Sequence, residues 1–511
     1  MNSRRNFLKG AGVLAGAAGA DALLAFSPLT QAEARLTPEL VQLRPEMEPL
    51  VRLIERTPRE KCVDLLVAQL RRGVSYRQLL AALYLAGVRN VSPQPPGFAL
   101  HCVFVLHSAH QLGLDAPAAD RLLPLFYALD YFKRAQDQDA RRPAGDYVMP
   151  PLTGALPSPD RAAEELRLAM ESWDKDRAER AVVSLIRHRG AHEVIEPLWR
   201  YGARDYRNIG HKAIYPASAW RTLQTIGWQH AEPVLRSVVA SLVDFGKEER
   251  VNGYQFEDQS YLPNAGRARE TIRRLKGDWT GPRGDTAVAR EMLDAIRTAT
   301  PDRASAEAAS LLVKGRAQAG AIWDAVHLAA GELILRKPGS IAAIHAVTSA
   351  NALRYAFQAS GDPENRLLLL LQAVGWMGQF QAYTPQREKE MRDLKITDLA
   401  SAGPPEGDAP TPEKALADLP AKVDAAAEKA FHLGRQPAAA EAFMSAATRL
   451  VFAKSDEPHY YKYAAAVFED FGLVSPEWRP HLLSLAVYYL KGSSQPDTPV
   501  IQRARQALGK V

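Results

Sequence analysis

Cysteine is the scarcest chemistry in this chain: Cys62 and Cys102 are the two cysteines among 511 residues. Two isolated thiols exclude a Cys-based zinc ribbon, a CxxC redox pair and a CxxCH c-type haem attachment. Other catalytic signatures are missing too. There is no GxSxG nucleophile elbow, and neither a Walker loop nor a Rossmann fingerprint stands at a strand–helix junction. His192-Glu193 is followed by Glu196 rather than a second histidine, so the metalloprotease HExxH pattern is absent. Beyond the N-terminus no run is apolar enough for a transmembrane helix. One-sided charge is lacking as well. Lys and Arg number 64 against 58 Asp and Glu, for a net charge of +6. That excess is too small for a nucleic-acid binder. With 47% hydrophobic and 24% charged residues, the composition is that of a globular protein with room for two to four domains.

What is present begins with Ser3-Arg4-Arg5-Asn6-Phe7-Leu8-Lys9, which resembles the twin-arginine export consensus. An Ala/Gly-rich segment, Gly10 to Phe26, and an A-x-A cleavage site, Ala32-Glu33-Ala34, complete a signal peptide over residues 1–34. Cleavage there removes Arg4, Arg5 and Lys9 with Asp21 and Glu33, leaving a mature charge of +5. The expected destination is periplasmic or extracellular.

The mature chain reads as all-α. Cys62, Leu65, Leu66 and Leu70 keep helical spacing, and no stretch alternates as a strand would. Pro/Gly-rich and aromatic connections divide it into helical units at 35–145, 160–250, 286–398 and 413–495. Between them lie an aromatic and Arg-rich connection at 251–285 and a Pro/Gly linker at 401–412. The units resemble one another. In each, a helix begins near a histidine (His101, His211, His345, His459) and a second helix follows with an early arginine (Arg121, Arg236, Arg366, Arg479). The His-to-Arg offsets are 20, 25, 21 and 20 residues. About four related four-helix units, packed as an α-solenoid or a paired-repeat bundle, are expected.

Histidines are the one constellation with chemical potential. His101, His211, His345 and His459 share the repeated position, and His107 and His110 lie one and two turns further along the first helix. His192 with Glu196, and Asp324 with His327, stand at i,i+4 and i,i+3. Such pairs are about 5–6 Å apart on a helix face, which suits a shared metal. Imidazole and carboxylate together point to iron, zinc or manganese. Equally, helix-start histidines can cap backbone groups, and the pairs can be surface pairs. Tyr254, Asp258, Tyr261 and Arg267 in the 251–285 connection form a candidate substrate loop, because long aromatic loops in compact domains are commonly functional.

His101 with Leu112-Gly113, and the segment His345-Ala-Val-Thr-Ser-Ala-Asn-Ala-Leu-Arg354, resemble segments of questin oxidase-like proteins. The resemblance covers some 30–40 residues and implies an all-helical oxygenase-like protein, the family being associated with oxidative cleavage of anthraquinone-type ketones by O₂ and reduced nicotinamide. It assigns no role to His101 or His345. Together these readings point to an exported, His-lined, oxidoreductase-like protein, with a metal as candidate cofactor, acting on an aromatic or apolar small molecule. The alternative is a non-enzymatic helical-repeat scaffold that binds an envelope ligand.

Overall fold

The computed structural model describes residues 43–142, 147–245, 257–282, 284–401, 409–417 and 419–509. The signal peptide, Tyr254 and most of the 401–412 linker lie outside the described residues. Those described are 73% helical, in 22 α-helices with no strand. No helix among them is long and apolar enough to cross a membrane.

Four helices form the centre: α1 (His101–Leu114), α2 (His211–Ile226), α3 (Ile341–Ala359) and α4 (Pro458–Leu473). Each packs against the next, and α4 packs back on α1, so the four close into a ring. They are rich in small residues: Ala213, Ala217 and Ala219 on α2, Ala342, Ala343, Ala346 and Ala350 on α3, and Ala464 to Ala466 on α4 are all buried. Small side chains let helix axes approach closely, and helices apolar on every face belong inside a second layer.

That second layer is supplied locally. After α1 the chain returns through Leu123–Ala140, after α2 through Ala231–Leu242, after α3 through Pro363–Arg387 and after α4 through Arg479–Leu485; each packs on the inner helix before it. Capping fixes where these helices start. The Asp362 side chain accepts from the Asn365 amide at 2.7 Å, and Pro363 takes the first helical position, where its missing N–H costs nothing. Ser340 similarly receives the Ala343 amide at the start of α3. Leu367 to Leu371, a run that reads equally as strand or helix, is helical and wholly buried, because Pro363–Arg387 is covered on several sides.

One expectation is corrected. The connection 251–285 is not a continuous loop: Tyr261–Ile272 is an α-helix, packed against Pro363–Arg387. Pro263 sits in its first turn, where it is tolerated, so the proline that reads as a breaker in sequence marks a helix start.

Leu369→Ala should lower stability to urea unfolding by about 2–5 kcal/mol, the cost of a cavity at a fully buried leucine. Leu262→Ala, at a position 57% exposed, should change it by less than about 0.5 kcal/mol.

Candidate functional site

The ring brings His101, His211, His345 and His459 together. Successive ring centroids are 4.8 Å (His101–His211), 4.5 Å (His211–His345), 5.1 Å (His345–His459) and 4.8 Å (His459–His101) apart. The Nε2 atom of His211 lies 3.2 Å from Nε2 of His101 and 3.0 Å from Nε2 of His345. Ligand nitrogens of His101, His345 and His459 all lie within 4.8 Å of one another. All four histidines stand at or near the first turn of their helices. Each helix then contributes the residues 3, 6 and 7 positions further on to one cavity: Phe104, His107 and Ser108; Ile214, Ala217 and Ser218; Thr348, Asn351 and Ala352; Lys462, Ala465 and Ala466. Equal offsets mean that the four helices enter from the same end and run the same way. The cavity holds about 40 Å³ directly beneath the imidazoles.

Partners on the outer side of the rings decide which nitrogen faces inward. Nδ1 of His345 lies 2.7 Å from the Ile341 carbonyl and Nδ1 of His211 lies 2.5 Å from the Asn208 carbonyl. A carbonyl only accepts, so both Nδ1 atoms carry the proton and both Nε2 atoms present a lone pair to the centre. His459 Nδ1 is 2.6 Å from the Glu457 carboxylate, and its Nε2 is buried with no hydrogen-bond partner among the described residues. The contact at His211 is made by a strained turn. Asn208, Ile209 and Gly210 are all left-handed (φ 56°, 53° and 87°), which is costly for a β-branched residue. Only glycine fits at 210, since a Cβ there would stand 2.7 Å from Cβ of Ser349. Phe104 stacks on His211 at 5.4 Å, and a Cβ on Gly97 would lie 3.2 Å from the same imidazole. The ring is therefore gripped on both faces.

Burial pushes all four imidazoles below the ordinary histidine range, well below it for His101, His211 and His345. The positive ends of the surrounding helices act in the same direction. Lys462, three residues after His459, is 4% exposed and is itself pushed down to about 7 by burial.

The far end of the cavity is lined by a polar belt. Arg221 makes two 2.9 Å bonds to Glu469, lies 3.1 Å from Nε2 of His107 and covers the Tyr355 ring at 3.7 Å. Asn351 Nδ2 donates to Glu469 at 2.9 Å and to Asp470 at 2.8 Å. The belt thus takes one side chain or more from every inner helix.

The other expected site residues are elsewhere. His192 is exposed and lies against Trp220, while Glu196 binds Ser360, the Gly361 amide and Asn365, so the two do not form a ligand pair. Asp324 accepts from the Ser475 amide and hydroxyl, and His327 Nδ1 faces Asp470 at 3.2 Å. Both are buried; His327 is tied to the polar belt through Asp470 and Asp324 is held by Ser475, and neither reaches the imidazole cluster. Asp258 pairs with Arg207 at 2.9 Å, Tyr261 accepts from Arg200, and Arg267 pairs with Asp302 at 2.7 Å. His110 bonds the Tyr76 hydroxyl. Cys62 and Cys102 are both buried free thiols. Sequence reasoning overlooked Lys462, although a lone lysine in His459-Tyr-Tyr-Lys462-Tyr-Ala-Ala-Ala, one turn from a singled-out histidine, is a readable signal.

Comparison with known proteins yields one match: residues 1–20 fit the model of the twin-arginine translocation pathway signal sequence. The chain carries an export signal. No curated protein and no solved structure matches it. The resemblance to questin oxidase-like proteins finds no support in these comparisons.

The buried imidazoles have a measurable consequence. A histidine of ordinary pKa when unfolded but depressed when folded takes up a proton on unfolding below pH ~6.5. Its contribution is complete above that pH and is lost as pH falls towards the folded value. Besides the cluster, His110, His230 and His481 are pushed down to about 4. Urea unfolding of metal-free protein should therefore show stability falling between pH ~6.5 and ~5 by up to about 1.4 kcal/mol per pH unit for each such group. A flat profile there would show that these rings protonate in the folded state.

Proposed function

We propose that this exported protein is a metalloprotein in which His101, His211, His345 and His459 hold one transition-metal ion. The observation that carries the reading is the pair of Nε2–Nε2 distances, 3.0 and 3.2 Å, between rings whose environment resists protonation. The lone pairs of His211 and His345, 3.0 Å apart, repel unless a cation lies between them. Nitrogens bound at about 2.0–2.1 Å to a common ion stand roughly 2.9–3.4 Å apart, which is the spacing of His211 from His101 and from His345. A ligand nitrogen of His459 lies within 4.8 Å of those of His101 and His345 and completes the set. The outer hydrogen bonds to Ile341, Asn208 and Glu457 supply the orientation and basicity that metal-ligating histidines require.

The donor set is all nitrogen. The carboxylates that would favour manganese, Glu196 and Asp324, are engaged elsewhere, so zinc or iron suits the site better. Bound there, such an ion would supply Lewis-acid chemistry or, for iron, redox chemistry, and an oxidoreductase-like activity is the finer reading that goes with iron. The cavity supports a ligand of a few atoms rather than an aromatic ring, since even a benzene-sized guest occupies a cavity of about 150 Å³. The scaffold alternative rests on histidines in separate, equivalent surroundings, and their convergence speaks against it. The shared offsets on α1 to α4 support reading the units as one element used four times. Twin-arginine export carries folded proteins, which is compatible with loading a metal before a periplasmic or extracellular destination.

Metal-free protein titrated with Zn²⁺ or Co²⁺ against a competing chelator should bind one ion. His101→Gln and His345→Gln should weaken binding at least 100-fold, and Glu457→Gln about 10–100-fold, while His192→Gln leaves it unchanged. Equal affinity in His101→Gln and His345→Gln, or no binding by the parent protein, would overturn the reading.

A further inference from the structure

The cavity below the imidazoles contains a buried amine that no carboxylate in its lining answers. Lys462 occupies the layer three residues beneath the histidines, beside Phe104, Ile214 and Thr348. Its Nζ is buried, makes no hydrogen bond among the described residues, and lies 5.5 Å from the Phe104 ring centre. No carboxylate is among the residues lining the cavity, and Arg221 at its far end is already paired with Glu469. An amine buried without a hydrogen-bond partner is costly to keep charged, and an anion beside it would hold it protonated. A divalent ion on neutral imidazoles would add two more positive charges to the same water-poor space.

We propose that this cavity is the site of a small anion, of two to four non-hydrogen atoms, held at one end by Lys462 and at the other by the metal on the histidine cluster. The inference rests on the metal reading above. Size sets the ligand class: about 40 Å³ accommodates an inorganic anion or a formate-sized carboxylate and no larger organic acid. Charge sets the sign, because the lining offers hydroxyls and the Lys462 amine beside the metal, with no carboxylate to oppose an anion. The anion lies inside the helical ring, between the imidazole layer and the Arg221–Glu469 pair.

The test uses the full mature protein loaded with Co²⁺, with azide as the probe. Azide should produce a saturable change in the visible spectrum of the bound Co²⁺ and a shifted azide infrared band. Lys462→Met and Lys462→Gln should each weaken azide at least tenfold while Co²⁺ affinity stays within about twofold. Lys462→Met, which removes an unpartnered buried amine, should also unfold at higher urea without azide, an effect opposite to that of deleting a structural contact. If Co²⁺ binds but azide has no effect, or binds both variants as tightly as the parent, the anion site is wrong and the metal site stands. If Co²⁺ does not bind, the metal reading fails and takes this inference with it.

Discussion

Imidazoles that turn their lone pairs towards one another in a space that resists protonation are the constraint around which this molecule is organised. Between His211 and His345 no hydrogen bond satisfies that arrangement, because the outer nitrogens of both already donate to carbonyls. Holding it requires the rings to be fixed from outside. The left-handed turn at Asn208, Ile209 and Gly210, the stacking of Phe104 and the loop at Gly97 all serve that end. Strain of this kind, of order 1–3 kcal/mol per residue, persists where the surrounding structure over-determines it. Here the surroundings are a closed ring of small-residue helices inside a covering layer.

The ring also explains the polarity of its own interior. Parallel entry of four helices stacks equivalent positions in layers: imidazoles first, then Phe104, Ile214, Thr348 and Lys462, then a mostly small-residue layer, then the Arg221–Glu469–Asn351 belt. The belt joins all four inner helices through Arg221–Glu469 and Asn351, and Lys462 in the layer above it has no hydrogen-bond partner among the described residues. Asp470 extends the belt outward to His327, and Asp324 is anchored nearby on Ser475, which gives that buried pair a structural role at the junction of α4 with Ala319–Arg336.

Helical character was legible because burial periodicity and capping residues act locally. The four histidines were legible because each stands near a helix start at a nearly constant spacing from an arginine near the start of the following helix. The pairs His192–Glu196 and Asp324–His327 misled because i,i+4 and i,i+3 spacing places two groups on one face without saying what that face meets. Glu196 meets Ser360 and Asn365 from another part of the chain, and Asp324 meets Ser475. Closure of the ring by α4 on α1 is a contact between residues more than 300 apart, and no local pattern encodes it. Lys462 acquires its meaning only from that closure.

X-ray absorption at the metal edge of protein recovered after twin-arginine export tests the central claim most directly. The account predicts a stoichiometric zinc or iron ion with imidazole nitrogens at about 2.0–2.2 Å, and loss of that signature in His345→Gln. A protein recovered without stoichiometric metal, or a coordination shell unchanged by His345→Gln, would contradict it.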